Sequence, residues 1–350
     1  MRNKQIFTID PSAPYHTIDL HIKDALKYKI HAYEPGTEEH AKMVSEAIDN
    51  LKKLLKIPHN YQVIFMNSQL VVYQILKEVF SRKKSLFLLT GRRSKLMTDH
   101  VSTPKKGISY EHNINGKIDL NKLESIHEIN SVFLSYNEPD TGYRFPEENI
   151  LEIKKSLPKS AFIHIDAGEA IPSVDFDFKQ ADSVTFPAHV GFGLPMGILV
   201  WVLKPDAYEH IRDFEKAEHN HPWYIDAREY LNLLDIFLLG NVAQDMIHRG
   251  IKQIRNECIY KSTIIYDALE KSETFNPGIS DENYRSVVTI IAETEVNALV
   301  IREKFSAMGL MISVGEGDKR FNQIRIGNFP AHSKEQIEML VDLLLNPDGF

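Results

Sequence analysis

Short apolar strands alternate with helical segments through the first two thirds of this 350-residue chain. The strands are predicted from runs of β-branched, aromatic and aliphatic residues, and the helices from apolar residues spaced at a period of 3.6. The predicted strands are 61–65, 85–89, 131–135, 162–165, 183–186 and 198–203, and the predicted helices are 37–56, 68–79 and 146–156. This alternation predicts an α/β fold with a mostly parallel sheet and helices on both of its faces.

The pattern changes in the last third of the chain. The elements predicted there are one long helical stretch, two strands and a closing helix, at 226–269, 287–291, 323–326 and 334–344. We therefore expect a large domain over residues 16–248. A smaller α+β domain would combine residues 1–15 with residues 249–350.

Charge and composition argue against several classes of protein. The chain has 41 Lys and Arg residues against 48 Asp and Glu residues, a formal net charge of −7, which does not suit a nucleic-acid-binding surface. Its single cysteine, Cys258, excludes an intrachain disulfide. No apolar run is long enough to cross a membrane, the N-terminus lacks a signal-peptide core, and no histidines have metal-ligand spacing. We expect a cytoplasmic protein without a metal, nucleic-acid or membrane partner.

Polar residues follow the predicted strands at the sheet edge where ligands bind in such folds. Asp166 ends the strand that begins near Phe162. A buried carboxylate needs a partner, which could be a protonated pyridine nitrogen of a ligand. Alternatively, Asp166 could cap the helix that follows. Thr141 lies in the polar loop 136–142, and His189 lies in the glycine- and proline-rich segment 185–197.

Arg325 is unusual because it lies inside an apolar predicted strand near the C-terminus. A planar guanidinium suits bidentate binding of a substrate carboxylate. The other interpretation is an interdomain salt bridge with an acidic residue of the chain. The sequence leaves both interpretations open.

These segments together resemble the class V aminotransferases of fold type I, and among them the phosphoserine and alanine–glyoxylate aminotransferase branch. The branch has an Asn-Glu-Thr-Ser-Thr-Gly loop, an Asp-x-x-Ser-Ser strand end, a Gln-Lys-x-Phe-Gly-Leu-Pro-Ala-Gly loop and a late Arg-Ile strand followed by Ser-x-Glu-Gln. The similar segments here are 137–142, 166–170, 189–197, Arg325-Ile326 and 333–336. The order and spacing of these motifs carry the resemblance.

The resemblance implies a homodimer that binds pyridoxal 5′-phosphate or pyridoxamine 5′-phosphate and acts on a small amino acid or 2-oxo acid. It implies that Arg325 binds the substrate. The cofactor contacts that it implies are Asp166, Ser68, Gln69, Thr141, His189 and Asn232.

The departures from the family pattern concern catalysis directly. The family's Schiff-base lysine falls on Val190, which cannot form an imine or move a proton. Lys179 and Lys204, the nearest lysines in sequence, are poorly placed to replace it. Other changes affect the phosphate contacts and the phosphoserine site: Ser68-Gln69-Leu70 for Ser-Ala-Thr, Tyr230-Leu231-Asn232 for Thr-Pro-Asn, and His31-Ala32 for His-Arg.

Three interpretations follow from these departures. The chain could be a homologue impaired or inactive in transamination that acts as a partner or regulatory subunit. It could be an enzyme with a non-covalently held cofactor and His189 as the base, since histidine titrates near neutrality. Val190 could also be an engineered change, which we disfavour because other cofactor contacts have changed with it. The sequence favours the first interpretation.

Overall fold

The computed structural model describes residues 4–116, 118–119, 128–219 and 232–346. Its central sheet has seven strands, in the spatial order β2–β8–β7–β6–β5–β3–β4. These strands are β2 (Gln62–Met66), β3 (Ser85–Leu89), β4 (Gly107–Glu111), β5 (Ser131–Ser135), β6 (Phe162–Asp166), β7 (Ser183–Pro187) and β8 (Leu199–Leu203). Strand β1 (Gln5–Ile6) precedes them and lies outside this sheet.

Strand β8 runs antiparallel to both of its neighbours, β2 and β7, and the other adjacent pairs are parallel. Six of the seven strands therefore end at the same edge of the sheet. The predicted α/β fold with a mostly parallel sheet is confirmed. Strands β3 and β5 have the bounds that the sequence predicted, because both are continuous apolar runs buried on two faces.

Helices cover both faces of the sheet. The helices of this part are α1 (Ile18–Lys27), α2 (Glu38–Leu55), α3 (Gln69–Phe80), α4 (Arg92–Val101), α5 (Glu147–Ser156), α6 (Ala188–Gly191), α7 (Pro205–His219) and α8 (Leu233–Arg249). Helices α2 and α8 pack closely, since a Cβ at Gly240 would lie 3.0 Å from the Ala47 Cβ. The core on the other face includes residues of α3, α4 and α7.

A second, smaller sheet follows in the chain. Its order is β12–β13–β10–β9, and all of its pairings are antiparallel. Its elements are α9 (Ile251–Lys271), β9 (Phe275–Pro277), β10 (Thr289–Thr294), α10 (Ala298–Ala307), β11 (Leu310–Met311), β12 (Ser313–Val314), β13 (Gln323–Gly327) and α11 (Lys334–Leu345). The predicted helical stretch 226–269 is two helices that meet at Gly250, and residues 226–231 lie outside the described residues.

The N-terminal segment joins this second sheet region. Strand β1 pairs in parallel with β11, and the Phe7 carbonyl accepts from the Gly327 amide at 2.7 Å. The buried Lys261 ammonium donates to the carbonyls of Phe329 and His332, each at 2.9 Å. These contacts fit the predicted smaller domain, although its boundaries at residues 16 and 249 stay a prediction.

Candidate active site

Asp166 lies at the shared carboxyl edge of the sheet and is fully buried. Its Oδ1 accepts from the Gly168 amide at 3.0 Å and lies 3.5 Å from the Arg93 Nη1. Its Oδ2 accepts from the Tyr73 hydroxyl at 3.0 Å and from the Gln69 amide. A carboxylate has about four acceptor positions. The protein's own donors therefore occupy the Asp166 carboxylate.

Arg93 is a site residue that the sequence analysis missed. It stands in the first turn of α4, and its side chain is 13% exposed and pairs with Glu169 as well as Asp166. Burial by itself would lower the pKa of Arg93, but the charges of Glu169 and Asp166 outweigh it and raise that pKa. A cation in the first turn of a helix opposes the helix dipole. The Arg92-Arg93 pair after a buried strand was thus a signal that acidic partners were needed.

Glu138 and Asp140 bind the start of α4 from the neighbouring loop. Glu138 accepts from the Arg93 amide at 2.8 Å, the Ser94 amide at 2.9 Å and the Thr90 hydroxyl at 3.1 Å. Asp140 accepts from the Arg92 amide at 3.0 Å. Burial, with a further contribution from Asp140, raises the pKa of Glu138 to about 7. The two carboxylates satisfy helix amides that would otherwise lack partners.

His189 lies close to the same charges. Its Nε2 is 3.7 Å from the Asp10 Oδ1, and neither ring nitrogen has a hydrogen-bond partner in the structure. Burial lowers the pKa of His189, against the opposing charges of Asp10 and Glu169. Burial of the ring therefore favours the neutral imidazole.

Val190 is buried, with 2% of its surface exposed. It belongs to a small apolar cluster with Ile9, Val288 and Phe329. This cluster joins the N-terminal segment and the second sheet region to α6. Lys204, one of the two lysines nearest to Val190 in sequence, follows the antiparallel strand β8. It therefore lies at the sheet edge opposite to the carboxyl ends of the other strands, and it pairs with Asp182 at 2.7 Å.

Arg325 lies on β13 and donates from Nη1 to the Glu316 Oε1 at 2.7 Å. Burial lowers the pKa of Arg325. Glu316 precedes β13 in the same part of the chain, and it also contacts Arg92 of the large sheet region. Glu316, an acidic residue of the same sheet region, therefore holds the Arg325 guanidinium, so this pair is not itself interdomain. Glu316 also contacts Arg92 on α4, and a role of Arg325 in substrate binding stays a prediction.

The remaining predicted site residues make local contacts in the structure, and their roles in binding stay predictions. The Ser68 hydroxyl caps α3 by accepting from the Leu70 amide at 3.2 Å. Thr141 donates to the Thr90 carbonyl at 3.3 Å. Asn232 caps α8 and donates to Asp235 at 3.0 Å. The Gln69 side-chain amide donates a hydrogen bond to Asp166. The negative charge of Glu169 favours the protonated forms of both His189 and Arg325.

A cavity of about 570 Å³ borders this cluster on the side of the second sheet. Its lining includes Arg92, Asp140, Thr141, Glu316 and Gln323. Within the residues that the structure covers, no three His, Cys, Asp or Glu side chains are grouped to hold a metal ion. No helix in those ranges is both long and apolar enough to cross a membrane.

The mostly parallel sheet with a polar cluster at its carboxyl edge is the architecture of the fold-type I pyridoxal-phosphate enzymes. The chain belongs to the class V aminotransferase family: the sequence model described as "Aminotransferase class-V" matches residues 29–320.

Within that family the chain is similar to phosphoserine aminotransferases. The crystal structure of one from Cytophaga hutchinsonii is 30% identical with a TM-score of 0.90, over 98% of this chain and 99% of that one. The phosphoserine aminotransferase of Pasteurella multocida (strain Pm70) is 25% identical over 319 residues, 85% of this chain and 84% of its own. The PLP-bound phosphoserine aminotransferase of Trichomonas vaginalis is 16% identical with a TM-score of 0.78, over 97% and 98% of the two chains.

The family's cofactor, pyridoxal phosphate, does not fit these residues as they are placed. The Asp166 carboxylate has no acceptor position left for a ring nitrogen, because Arg93, Gln69, Tyr73 and the Gly168 amide occupy it.

Proposed function

We propose that this chain is a class V aminotransferase homologue that does not transaminate and that acts as a binding or regulatory partner in amino-acid or 2-oxo-acid metabolism. The observation that carries the proposal is Val190. It stands where the family resemblance expects the lysine, and its side chain packs among Ile9, Val288 and Phe329. A hydrocarbon side chain can neither form an imine with an aldehyde nor transfer a proton.

The second candidate is an enzyme that holds the cofactor without a covalent bond and uses His189 as the base. Two features of His189 favour this candidate: neither ring nitrogen makes a hydrogen bond of good geometry, and burial lowers the pKa of the imidazole, which favours the form that can accept a proton. Against it stands the pairing of Asp166 with Arg93, which leaves no anion for the cofactor ring. We therefore place it second.

Transamination and proton exchange separate the two candidates. The purified protein would be incubated with excess pyridoxal phosphate, an amino donor (phosphoserine, alanine or glutamate) and a 2-oxo acid. We expect product formation no faster than with pyridoxal phosphate alone. We also expect no enzyme-dependent loss of the donor's α-hydrogen signal in D₂O, followed by NMR.

The variant His189→Ala completes the comparison. Exchange that the wild type catalyses and His189→Ala lacks would favour the second candidate over the first. Turnover that persists in His189→Ala would contradict both candidates. A general base typically contributes 10²–10⁴-fold to a rate, so the difference is well within measurement.

We also propose that the chain forms a homodimer through α1. The large apolar side chains Leu20, Leu26 and Tyr28 are 59%, 62% and 54% exposed on this helix and its C-cap. A groove of about 330 Å³ beside them is lined by residues that include Tyr28 and Phe237. Exposed apolar side chains beside such a groove favour an interface at this part of the surface.

A further inference from the structure

We infer, building on the proposed loss of transamination, that Arg93 takes the place of a cofactor's ring cation on Asp166 and keeps this site closed. Asp166 is fully buried and Glu169 is 4% exposed. The Arg93 guanidinium pairs with both carboxylates. Two buried carboxylates are costly without a cation, so the charge that a bound pyridinium would supply is supplied by the chain itself.

The hydrogen bonds of Asp166 support this closure. Its two oxygens receive four donors, from Gly168, Arg93, Tyr73 and Gln69. A ring nitrogen could approach the carboxylate only if one of these donors left. Arg93 is the donor that also brings a positive charge, so it is the one that a cationic ring would replace.

The backbone around Arg93 holds its side chain in position. The Arg93 amide donates to the buried Glu138 at 2.8 Å, which fixes the first turn of α4. Gly168 has a φ of +56°, and a Cβ there would lie 3.3 Å from the Arg93 Nε. A residue larger than glycine would therefore crowd the guanidinium as well as strain the backbone. Tight support of this kind is expected of a permanent structural element.

The adjacent Arg92 provides a matched control. Its side chain is 67% exposed and pairs with Glu316 instead of Asp166. Arg92→Ala and Arg93→Ala change the net charge equally and lie in the same helical turn. Only Arg93→Ala removes the cation between Asp166 and Glu169.

The test measures binding of pyridoxamine 5′-phosphate by equilibrium dialysis, together with the melting temperature with and without that compound. We expect negligible binding to the wild type and to Arg92→Ala. For Arg93→Ala we expect binding at least about tenfold tighter, and a lowered melting temperature that the compound restores. If Arg93→Ala does not fold, the neutral variant Arg93→Gln takes its place in the comparison.

Two results would overturn the role of Arg93: wild-type binding as tight as that of the folded Arg93 variant, or no gain of binding in that variant. The outcomes also separate this inference from the proposed function. Wild-type binding without turnover would remove only the inference, whereas wild-type turnover would remove the proposed absence of transamination.

Discussion

Single side chains decide the chemistry available at the carboxyl edge of this sheet. Asp166 was predicted from its place at a strand end, and it lies in the cluster at that edge. The roles of Arg93 and Glu316 were not predicted. Arg93 lies 73 residues from Asp166, so its position in the sequence indicates that an acidic partner is needed but not which one. Glu316 lies nine residues from Arg325, but on a segment whose approach to β13 the sequence pattern does not indicate.

His332 is a residue at which protonation opposes folding. Its Nδ1 accepts from the Phe329 amide at 3.0 Å, and its Nε2 donates to the Ile6 carbonyl at 2.6 Å. The neutral ring satisfies both contacts, and a second proton on Nδ1 would face the Phe329 N–H. Burial lowers the pKa of His332 from 6.5 to about 4.

This lowered pKa predicts a loss of stability in acid. The pKa of His332 in the folded state lies below its value in the unfolded state. The stability that the neutral ring contributes is therefore fully present above pH 6.5 and is lost as the pH falls towards 4. The difference between the two pKa values corresponds to about 3 kcal/mol in the free energy of unfolding. In urea denaturation, His332→Asn should be less stable at neutral pH, and its stability should fall less between these two pH values. His59→Asn, at an exposed position, should lose as much stability between these pH values as the wild type does. If His332→Asn also loses as much stability as the wild type, the prediction is contradicted.

At the scale of the element, α4 shows why some helices escape sequence prediction. Its sequence, Arg-Arg-Ser-Lys-Leu-Met-Thr-Asp-His-Val, is mostly polar and was not predicted as a helix. The first amides of this helix are bound by Glu138 and Asp140 from another loop. In contrast, α2 was predicted from the apolar period of its own sequence, and the structure shows that a local residue, Thr37, caps it by accepting from the His40 amide.

Removing the distant cap of α4 should therefore be costly. Glu138→Ala leaves two amides and the Thr90 hydroxyl without their acceptor inside the protein. We expect a loss on the order of 3 kcal/mol in the free energy of unfolding. The local cap variant Thr37→Ala should lose about 1 kcal/mol. Equal losses in the two variants would show that Glu138 does not hold α4 as described.

At the scale of the whole molecule, the sequence predicted the α/β class because strand–helix alternation is a property of long stretches of chain. The short strands β1, β11 and β12 were missed, since two residues give no usable periodicity. Strand β4 was missed because its residues are partly exposed at the sheet edge and lack an apolar run. The large and small sheets meet at the site, where Arg92 of one region and Arg325 of the other share Glu316.

Assembly is also a property of the whole molecule, and it can be tested at α1. If the proposed dimer uses this helix, Leu26→Lys should shift the protein towards monomer in sedimentation velocity experiments, because it puts a charge into an apolar interface. The control Leu151→Lys changes an exposed leucine of α5 and should leave the dimer intact. A wild type that is monomeric at micromolar concentration, or a dimer insensitive to Leu26→Lys, would contradict this assignment.

The loss of Schiff-base chemistry at this site can be measured directly. The wild type would be incubated with pyridoxal phosphate, reduced with borohydride, and analysed by intact mass and peptide mapping. The double variant Val190→Lys/Arg93→Ala, which restores an amine and opens the site, would serve as the positive comparison. We predict that the wild type gains no stoichiometric adduct and that the double variant is labelled at position 190. A stoichiometric adduct on one lysine of the wild-type protein would contradict the proposed loss of Schiff-base chemistry.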